Sequence, residues 1–295
     1  MKILSLFDGI SCARVALERA GIPVEIYFSS EIEEKPIEIS KKNYPDIIQM
    51  GDITKLHFEQ SKFDILLGGS PCQSFSLAGN KTGFDGKSGL FWEYIRILKE
   101  VNPKYFILEN VKMKQEWRDV ISEALGVKPI EINSSLVSGQ SRKRLYWTNI
   151  PNITQPKDKE IFLEDILEKE VDEKYFLTES QIKTINRNFG SKGKTIVLED
   201  SLIEEITYPS RINQKVGKIK SPTLVAAMGM GGGNVPVIIK DGRIRKFTEI
   251  ECERLQTLPD NYTQGVSSTS RYKAIGNGWT VDVVAHILSF INHNN

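Results

Sequence analysis

The chain has 295 residues, 40% of them hydrophobic and 26% charged, with a formal net charge of +1. That length fits one large domain or a large and a small one, and no apolar run nears the roughly 20 residues that span a bilayer. The opening "MKILSLFDGI" has one lysine but neither a long apolar segment nor a small-residue cleavage site, so it does not read as a secretory signal. A cytoplasmic, reducing setting is expected, with Cys12, Cys72 and Cys252 as free thiols. No spacing among the three cysteines and three histidines suggests a metal site. With charge this balanced, any basic surface must be local; the clusters are "SRKRLYW" at 141–147, the stretch from Arg211 to Lys220, and "DGRIRKF" at 241–247.

In chain order, "KILSLF" predicts a strand leading into a helix over "SCARVALERAG", where Ala13, Ala16, Leu17 and Ala20 share a face and Gly21 closes the turn. "VEIYFSS" predicts a second strand, followed by a Glu/Lys-rich helix ending near "KNYPD", and a third strand is expected to end near Asp52. "FDILLGG" is a buried strand before the loop "SPCQS", and "GLFWEYIRILKEVNP" is a helix with Leu90, Tyr94 and Leu98 one turn apart. "KYFILEN" is another nearly continuous apolar strand, then a helix around "EWRDVISEALG", then "KPIEINSS" and "RLYWTNI". Strands apolar on both faces, alternating with helices, predict an α/β fold: a mostly parallel sheet covered by helices on both sides. After Pro151 the pattern weakens into Lys/Glu-rich stretches, Gly-rich turns and isolated β-like runs such as "GKTIVLED" and "VPVIIKDG". We read 158–269 as a smaller, mainly β and irregular domain, and 1–157 as the main domain, completed by 270–295 through a helix over "WTVDVVAHILSFI".

Several positions carry chemistry. "FDGIS" ends the first strand, where a glycine turn before a helix N-terminus lets a cofactor approach the backbone. Glu31 ends the second strand, where a carboxylate can accept both hydroxyls of a ribose; a tight turn and a surface glutamate is the alternative. Asp52 can hold an adenine amine or simply face solvent. Cys72 follows Pro71, which stiffens the loop, and two glycines expected to free its backbone. It is either an inert thiol or a nucleophile at the carboxyl end of a parallel strand. Glu109 ends "ILE", an unfavourable core position for an unpaired carboxylate, and is expected at the same sheet edge. Gln140, Arg142 and Arg144 alternate, which places the two arginines on one strand face, suited to phosphate and a polar ring.

The blocks "SLFDGIS", "SSE", "GDI", "GGSPCQSFS", "GLFWEYIRIL", "ENV", "QSRKRLYW", "RKFTEIECERLQTLPDNYT" and "YKAIGNGWTVDVVAHI" follow the order and spacing of the C5-cytosine DNA methyltransferases, which this chain resembles. The resemblance runs from residue 3 to about 290, except most of 155–220. "SLFDGI", "GLFWEYIRIL" and "GWTVDVVAHI" are similar to the eukaryotic de novo branch, whereas the chain length and "SPTLVAAMGMGGG" resemble bacterial or phage enzymes. The tRNA-modifying branch carries a Cys-Phe-Thr signature after its Glu-Asn-Val block; "ENVKMKQEW" has none, which favours DNA.

The resemblance implies a Rossmann-like S-adenosylmethionine-dependent methyltransferase fold with a smaller target-recognition domain. It implies that Phe7, Asp8, Gly9 and Ile10 border S-adenosylmethionine, that Glu31 binds its ribose, and that Ile32 packs on the adenine. Asp52 and Ile53 would meet the adenine edge, Pro71 and Leu90 would line the pocket, and Asn277 would sit near the methionine part. Cys72 would be the nucleophile, Glu109 the group on N3 and the exocyclic amine of cytosine, and Arg144 a clamp on O2. Arg142 would support the flipped nucleotide and its phosphate. Gln73, Ser76, Gln140, Arg211 and Thr223 would contact double-stranded DNA. The implied protein is a monomer, without metal or membrane, paired functionally with a restriction endonuclease or serving phage or host DNA protection. Two departures stand out: Ser11 replaces a second glycine, which is expected to tighten the cofactor loop, and Gly278-Trp279 replaces a commoner Ser-Val. Cys12 and Cys252 are read as structural.

Overall fold

The computed structural model describes residues 1–59, 62–71, 89–182, 206–208, 211–212, 220–229, 235–240 and 243–292. The chain forms two compact units: Met1–Ser134 with Lys143–Lys157 and Trp279–Asn295, and Ser135–Arg142 with Asp158–Gly278.

The first unit is built on a seven-stranded sheet. Its strands are β1 (Lys2–Leu6), β2 (Ile26–Ser30), β3 (Ile48–Gln49), β4 (Ile65–Gly68), β5 (Tyr105–Val111), β6 (Ile130–Asn133) and β7 (Lys143–Thr148), in the spatial order β3-β2-β1-β4-β5-β7-β6. The first five are parallel. β7 runs antiparallel to both β5 and β6, because the connection over 134–142 is too short for a parallel crossover. β4 is buried along its whole length and β5 along all but its last residue, as strands covered on both faces must be. The third strand is shorter than expected: β3 ends at Gln49 and the chain turns through Gly51, whose φ is +74°.

The helices follow their apolar spacing. α1 (Cys12–Arg19) buries Ala13, Val15, Ala16 and Leu17 and ends where Gly21 takes the left-handed conformation (φ +67°). α2 spans Glu34–Asn43. α3 (Leu90–Val101) buries Phe91, Tyr94, Ile95, Ile97 and Val101 and stops at left-handed Asn102, while Leu90 and Leu98 are only half-buried. α4 (Gln115–Leu125) stops at left-handed Gly126. The C-terminal helix, Val281–Asn292, packs on α1, joined by the ion pair of Arg19 and Asp282. Phe91, Tyr94, Ile97, Leu66, Leu108 and Trp147 lie in one core cluster; each such side chain fully removed from water contributes about 1.5–3 kcal/mol. Trp147 keeps its indole N–H satisfied by donating to Ser122 Oγ at 3.0 Å.

The second unit holds an antiparallel sheet of β8 (Ile206–Tyr208), β9 (Arg211–Ile212), β10 (Val237–Lys240) and β11 (Arg243–Lys246), in the order β11-β10-β8-β9. Helices α5 (Glu249–Leu255) and α6 (Ser268–Asn277) follow. The expected strand "GKTIVLED" lies outside the described residues. Thr248 and Glu251 form a reciprocal capping box on α5. Glu251 also takes both Arg245 nitrogens, at 2.7 and 2.8 Å, in a fully buried fork. Two segments that the sequence assigns to the main domain belong here. Residues 270–278 are held by Tyr272 Oη donating to the Phe247 carbonyl and by Arg271 paired with Glu253. Residues 135–142 are held by Ser138 Oγ donating to the Leu255 carbonyl and by the bridge between Gln140 and Ser221.

Candidate active site

The turn after β1 alternates through the left-handed region at Phe7 (φ 57°), Gly9 (φ 57°) and Ser11 (φ 58°). Two of these are not glycine, a costly backbone that the surroundings must hold in place. Asp8 N–H donates to the Ser30 carbonyl and Gly9 N–H to Glu31 Oε2, so the turn is bonded to the end of β2. Ser11 keeps the backbone that a second glycine would have given, and its hydroxyl is buried against Asp8 Oδ2 and Ser40 Oγ, each at 2.6 Å. Tyr27 Oη donates to the other Asp8 oxygen at 2.7 Å. Burial pushes the Asp8 carboxyl above the usual carboxylate range, and hydroxyl donors, Ser11 first, partly offset that. The Asp8 side chain therefore serves the inside of the turn, leaving its backbone to face a ligand.

Glu31 Oε1 accepts the N–H groups of Ile32 and Glu33, at 2.7 and 2.8 Å. With two N–H groups on Oε1 and the Gly9 N–H on Oε2, one lone pair on Oε2 remains for a ribose hydroxyl. Ile32 is 71% exposed beside it, an apolar surface open to a ring. A Cβ on Gly9 would meet nothing within 4 Å, which leaves room over the turn. Ile10 and Ile53 are core residues, able to border a ligand only through their backbones. Asp52 caps the short helix that follows it, Oδ1 accepting from Thr54 N–H and Oγ1, and the backbone donor lowers its pKa.

The second cluster forms where β4, β5 and β7 end. Register pairs Gly68 with Leu108, so Gly69 lies beside Glu109. Glu109 Oε2 is 3.1 Å from the point where a Gly69 Cβ would sit, and Trp279 Nε1 is 2.9 Å from it. Glu109 Oε1 lies 2.9 Å from Arg144 Nε. Arg144 stands opposite Val111, so its long side chain crosses diagonally to Glu109. Next along β5, Asn110 Nδ2 donates to Ser70 Oγ at 3.1 Å. The chain approaching Pro71 is thus fastened to β5 by the Asn110 amide, with the Glu109 carboxylate crowding Gly69. The glycine pair has a different reason from the one expected: neither takes a positive φ. A Cβ on Gly68 would come 2.8 Å from the Tyr94 ring and one on Gly69 would meet Trp279 and Glu109, so both are sites of close approach. Cys72, Gln73 and Ser76 lie outside the described residues. Pro71 is half-buried at the end of the described approach, and Leu90 begins α3.

Five predicted residues fall in the second unit, and two are corrected. Arg142 precedes β7 and does not share a face with Arg144: its guanidinium is 4% exposed and donates to the carbonyls of Leu224, Gly276 and Gly278 at 2.7–3.2 Å. Those carbonyls hold it inside the unit rather than on a phosphate. Gln140 is fully buried, its amide donating to the Leu255 carbonyl and accepting from Leu224 N–H, so it presents nothing to DNA. Thr223 Oγ1 donates to the Ser141 carbonyl, and Asn277 is exposed at the end of α6. Arg211 lies on β9. Cys12 and Cys252 are buried free thiols, and burial followed by neighbouring glutamates pushes the Cys252 thiol well up, which makes it unreactive. Sequence reasoning did not foresee Asn110 or Trp279 as parts of the site. The signal was present, as the residue after Glu109 and as the departure at Gly278-Trp279.

A sheet in this order, with a ligand-ready turn after β1 and a fixed acid ending β2, is that of an S-adenosylmethionine-dependent methyltransferase. Residues 1–119 and 135–293 match the C-5 cytosine-specific DNA methylases, and the chain belongs to that family. It is similar to the type II methyltransferase M1.ScrFI of Lactococcus lactis subsp. cremoris, 33% identical over 96% of this chain and 76% of that protein. It is 31% identical to the type II methyltransferase M.HpaII of Haemophilus parainfluenzae, over 95% of this chain and 86% of that one. Among solved structures it shares its fold with the Entamoeba histolytica methyltransferase EhMeth (TM-score 0.75, 18% identity, 100% and 99% covered). It also shares it with the S. pombe Dnmt2 methyltransferase (TM-score 0.74, 21% identity, 99% and 98% covered). The enzyme transfers a methyl group from S-adenosylmethionine to carbon 5 of cytosine in DNA. The open space over Gly9, the exposed Ile32 and the spare lone pair on Glu31 Oε2 fit the nucleoside end of that cofactor.

Proposed function

We propose that Cys72 adds to carbon 6 of a cytosine turned out of double-stranded DNA, and that Glu109 and Arg144 hold the ring while it does so. The observation that carries this is Glu109: one oxygen lies over Gly69, at the root of the Cys72 loop, and the other is on Arg144. Carbon 5 of cytosine is a weak nucleophile; addition of the thiolate at carbon 6 gives it enamine character. A proton carried on Glu109 passes to N3 as the negative charge arrives there, and the carboxyl accepts from the exocyclic amine, an electrostatic contribution on the order of 3 kcal/mol, while Arg144 fixes O2. When bound, S-adenosylmethionine supplies an electrophilic methyl group. Loss of the carbon 5 proton then expels the thiolate. Turning the base out costs a few kcal/mol.

In this reading the backbone of Phe7 to Ile10, with Glu31, Ile32, Asp52, Ile53, Pro71, Leu90 and Asn277, receives the cofactor. The second unit reads the DNA sequence, with Arg211 as a bidentate partner for guanine and Thr223, Gln73 and Ser76 as further contacts. The enzyme works as a monomer in the cytoplasm of a bacterium or a phage host, within restriction-modification or DNA protection. The bacterial relatives named type II methyltransferases support that setting. Bisulfite sequencing of plasmid DNA from cells expressing the chain tests the reading. Cytosines protected within one recurring sequence support it, and uniformly convertible DNA contradicts it.

A further inference from the structure

We propose that Trp279 is a positioning residue for the reaction: its indole edge, laid over Gly69 beside Glu109, fixes the root of the nucleophile loop and the carboxylate together. This rests on the catalytic reading of Cys72 and Glu109 above. Trp279 Nε1 and Cε2 come within 2.9 and 3.5 Å of the Cβ position of Gly69, and Glu109 Oε2 within 3.1 Å of the same point. Real Cβ atoms essentially never approach another heavy atom within 3.0 Å. The glycine is therefore required by its neighbours and not by its own backbone, which has no positive φ.

Three supports converge on this short stretch. The Tyr94 ring covers Gly68, with its hydroxyl donating to the Ile107 carbonyl at 3.1 Å. Asn110 holds Ser70. Trp279 covers Gly69 from the C-terminal segment, two residues before the helix Val281–Asn292. That helix is anchored at its first turn by Asp282 on Arg19, so the indole is carried by a fixed element. Arg144 already constrains Oε1 of Glu109. The indole edge and Oε2 crowd the same point over Gly69, which limits the room left to the carboxylate, and the same edge keeps the Gly69 backbone from lifting away from β5. A smaller residue at 279 leaves both free to move, while the cofactor turn after β1 is untouched.

The test combines Gly69→Ala, Trp279→Val and Trp279→Phe, alone and paired. Trp279→Val should lower kcat about tenfold with the KM for S-adenosylmethionine changed less than twofold. The rate of covalent trapping on 5-fluorocytosine DNA should fall in parallel. Gly69→Ala should cost more than tenfold in the wild-type background and at least fivefold less than that beside Trp279→Val, because the clash is gone. Trp279→Phe, which keeps a ring but lacks the Nε1 edge, should relieve Gly69→Ala in part. Equal Gly69→Ala penalties in all backgrounds, or Trp279→Val with unchanged kcat and trapping rate, would overturn the proposal. If the unsubstituted enzyme forms no adduct at all, it is the catalytic reading that fails.

Discussion

Arg144 Nε sits 2.9 Å from Glu109 Oε1, with the two side chains only 13% and 12% exposed. The pair joins β7 to β5 across a diagonal, so the acid is held before any substrate arrives. Glu109→Gln keeps the shape but removes the charge, and kcat should fall on the order of 10²–10³-fold. The same change leaves Arg144 short of its partner and should destabilise the fold by about 1–3 kcal/mol in urea unfolding. A twofold loss of kcat would contradict the role given to Glu109.

Arg142 gives a contrasting expectation. Its fork reaches three carbonyls inside the second unit, a geometry that a lysine ammonium cannot reproduce. Arg142→Lys should therefore lower stability by about 1–3 kcal/mol while leaving the salt dependence of DNA binding unchanged. A phosphate contact would show the opposite in Arg142→Gln, which removes the charge: normal stability and a salt slope shallower by about one.

The buried fork of Arg245 and Glu251 makes a further stability prediction. Removing one partner, as in Arg245→Met, should cost about 3–5 kcal/mol, because it strands a buried carboxylate. Arg245→Met with Glu251→Gln, which removes the stranded charge but keeps an acceptor for the Thr248 N–H, should recover part of that loss. Equal losses in the single and double variants, read by denaturant unfolding, would show that the charge is not what matters there.

Asp8 links stability to pH. Burial raises its pKa in the folded state above that of the unfolded chain, so the folded protein binds this proton more tightly. The associated stability is present below the unfolded value and is lost as pH rises through the folded one. Asp8→Asn removes the titration. The unfolding free energy of the wild type should gain on that of Asp8→Asn as pH falls from 7 toward about 4. A difference that stays flat across that range would contradict it.

Much of this architecture was legible because burial writes itself into strands. "FDILLGG" and "KYFILEN" could only be interior, and the acids and glycines that end them had to sit at one edge. The antiparallel turn of β7 was hidden, since direction depends on how the sheet is entered and not on local pattern. Spacing misled at Gln140 and Arg142: period two says which residues share a strand face, but Arg142 lies one residue before β7 begins. The glycine pair read as flexibility, yet its cause is crowding by Tyr94, Glu109 and Trp279, which come from distant parts of the sequence. No local window contains that information.

The reaction turns on a bond between sulfur and carbon. DNA carrying 5-fluorocytosine in the recognised sequence blocks the last step, since fluorine cannot leave carbon 5 as a proton does. Incubated with S-adenosylmethionine and analysed by intact mass, the enzyme should become covalently joined to that DNA. Peptide mapping should place the link on Cys72, and Cys72→Ser should form no adduct while still binding the cofactor. Methylation of ordinary DNA without any adduct on the fluorinated one, or an adduct that survives Cys72→Ser, would contradict the account.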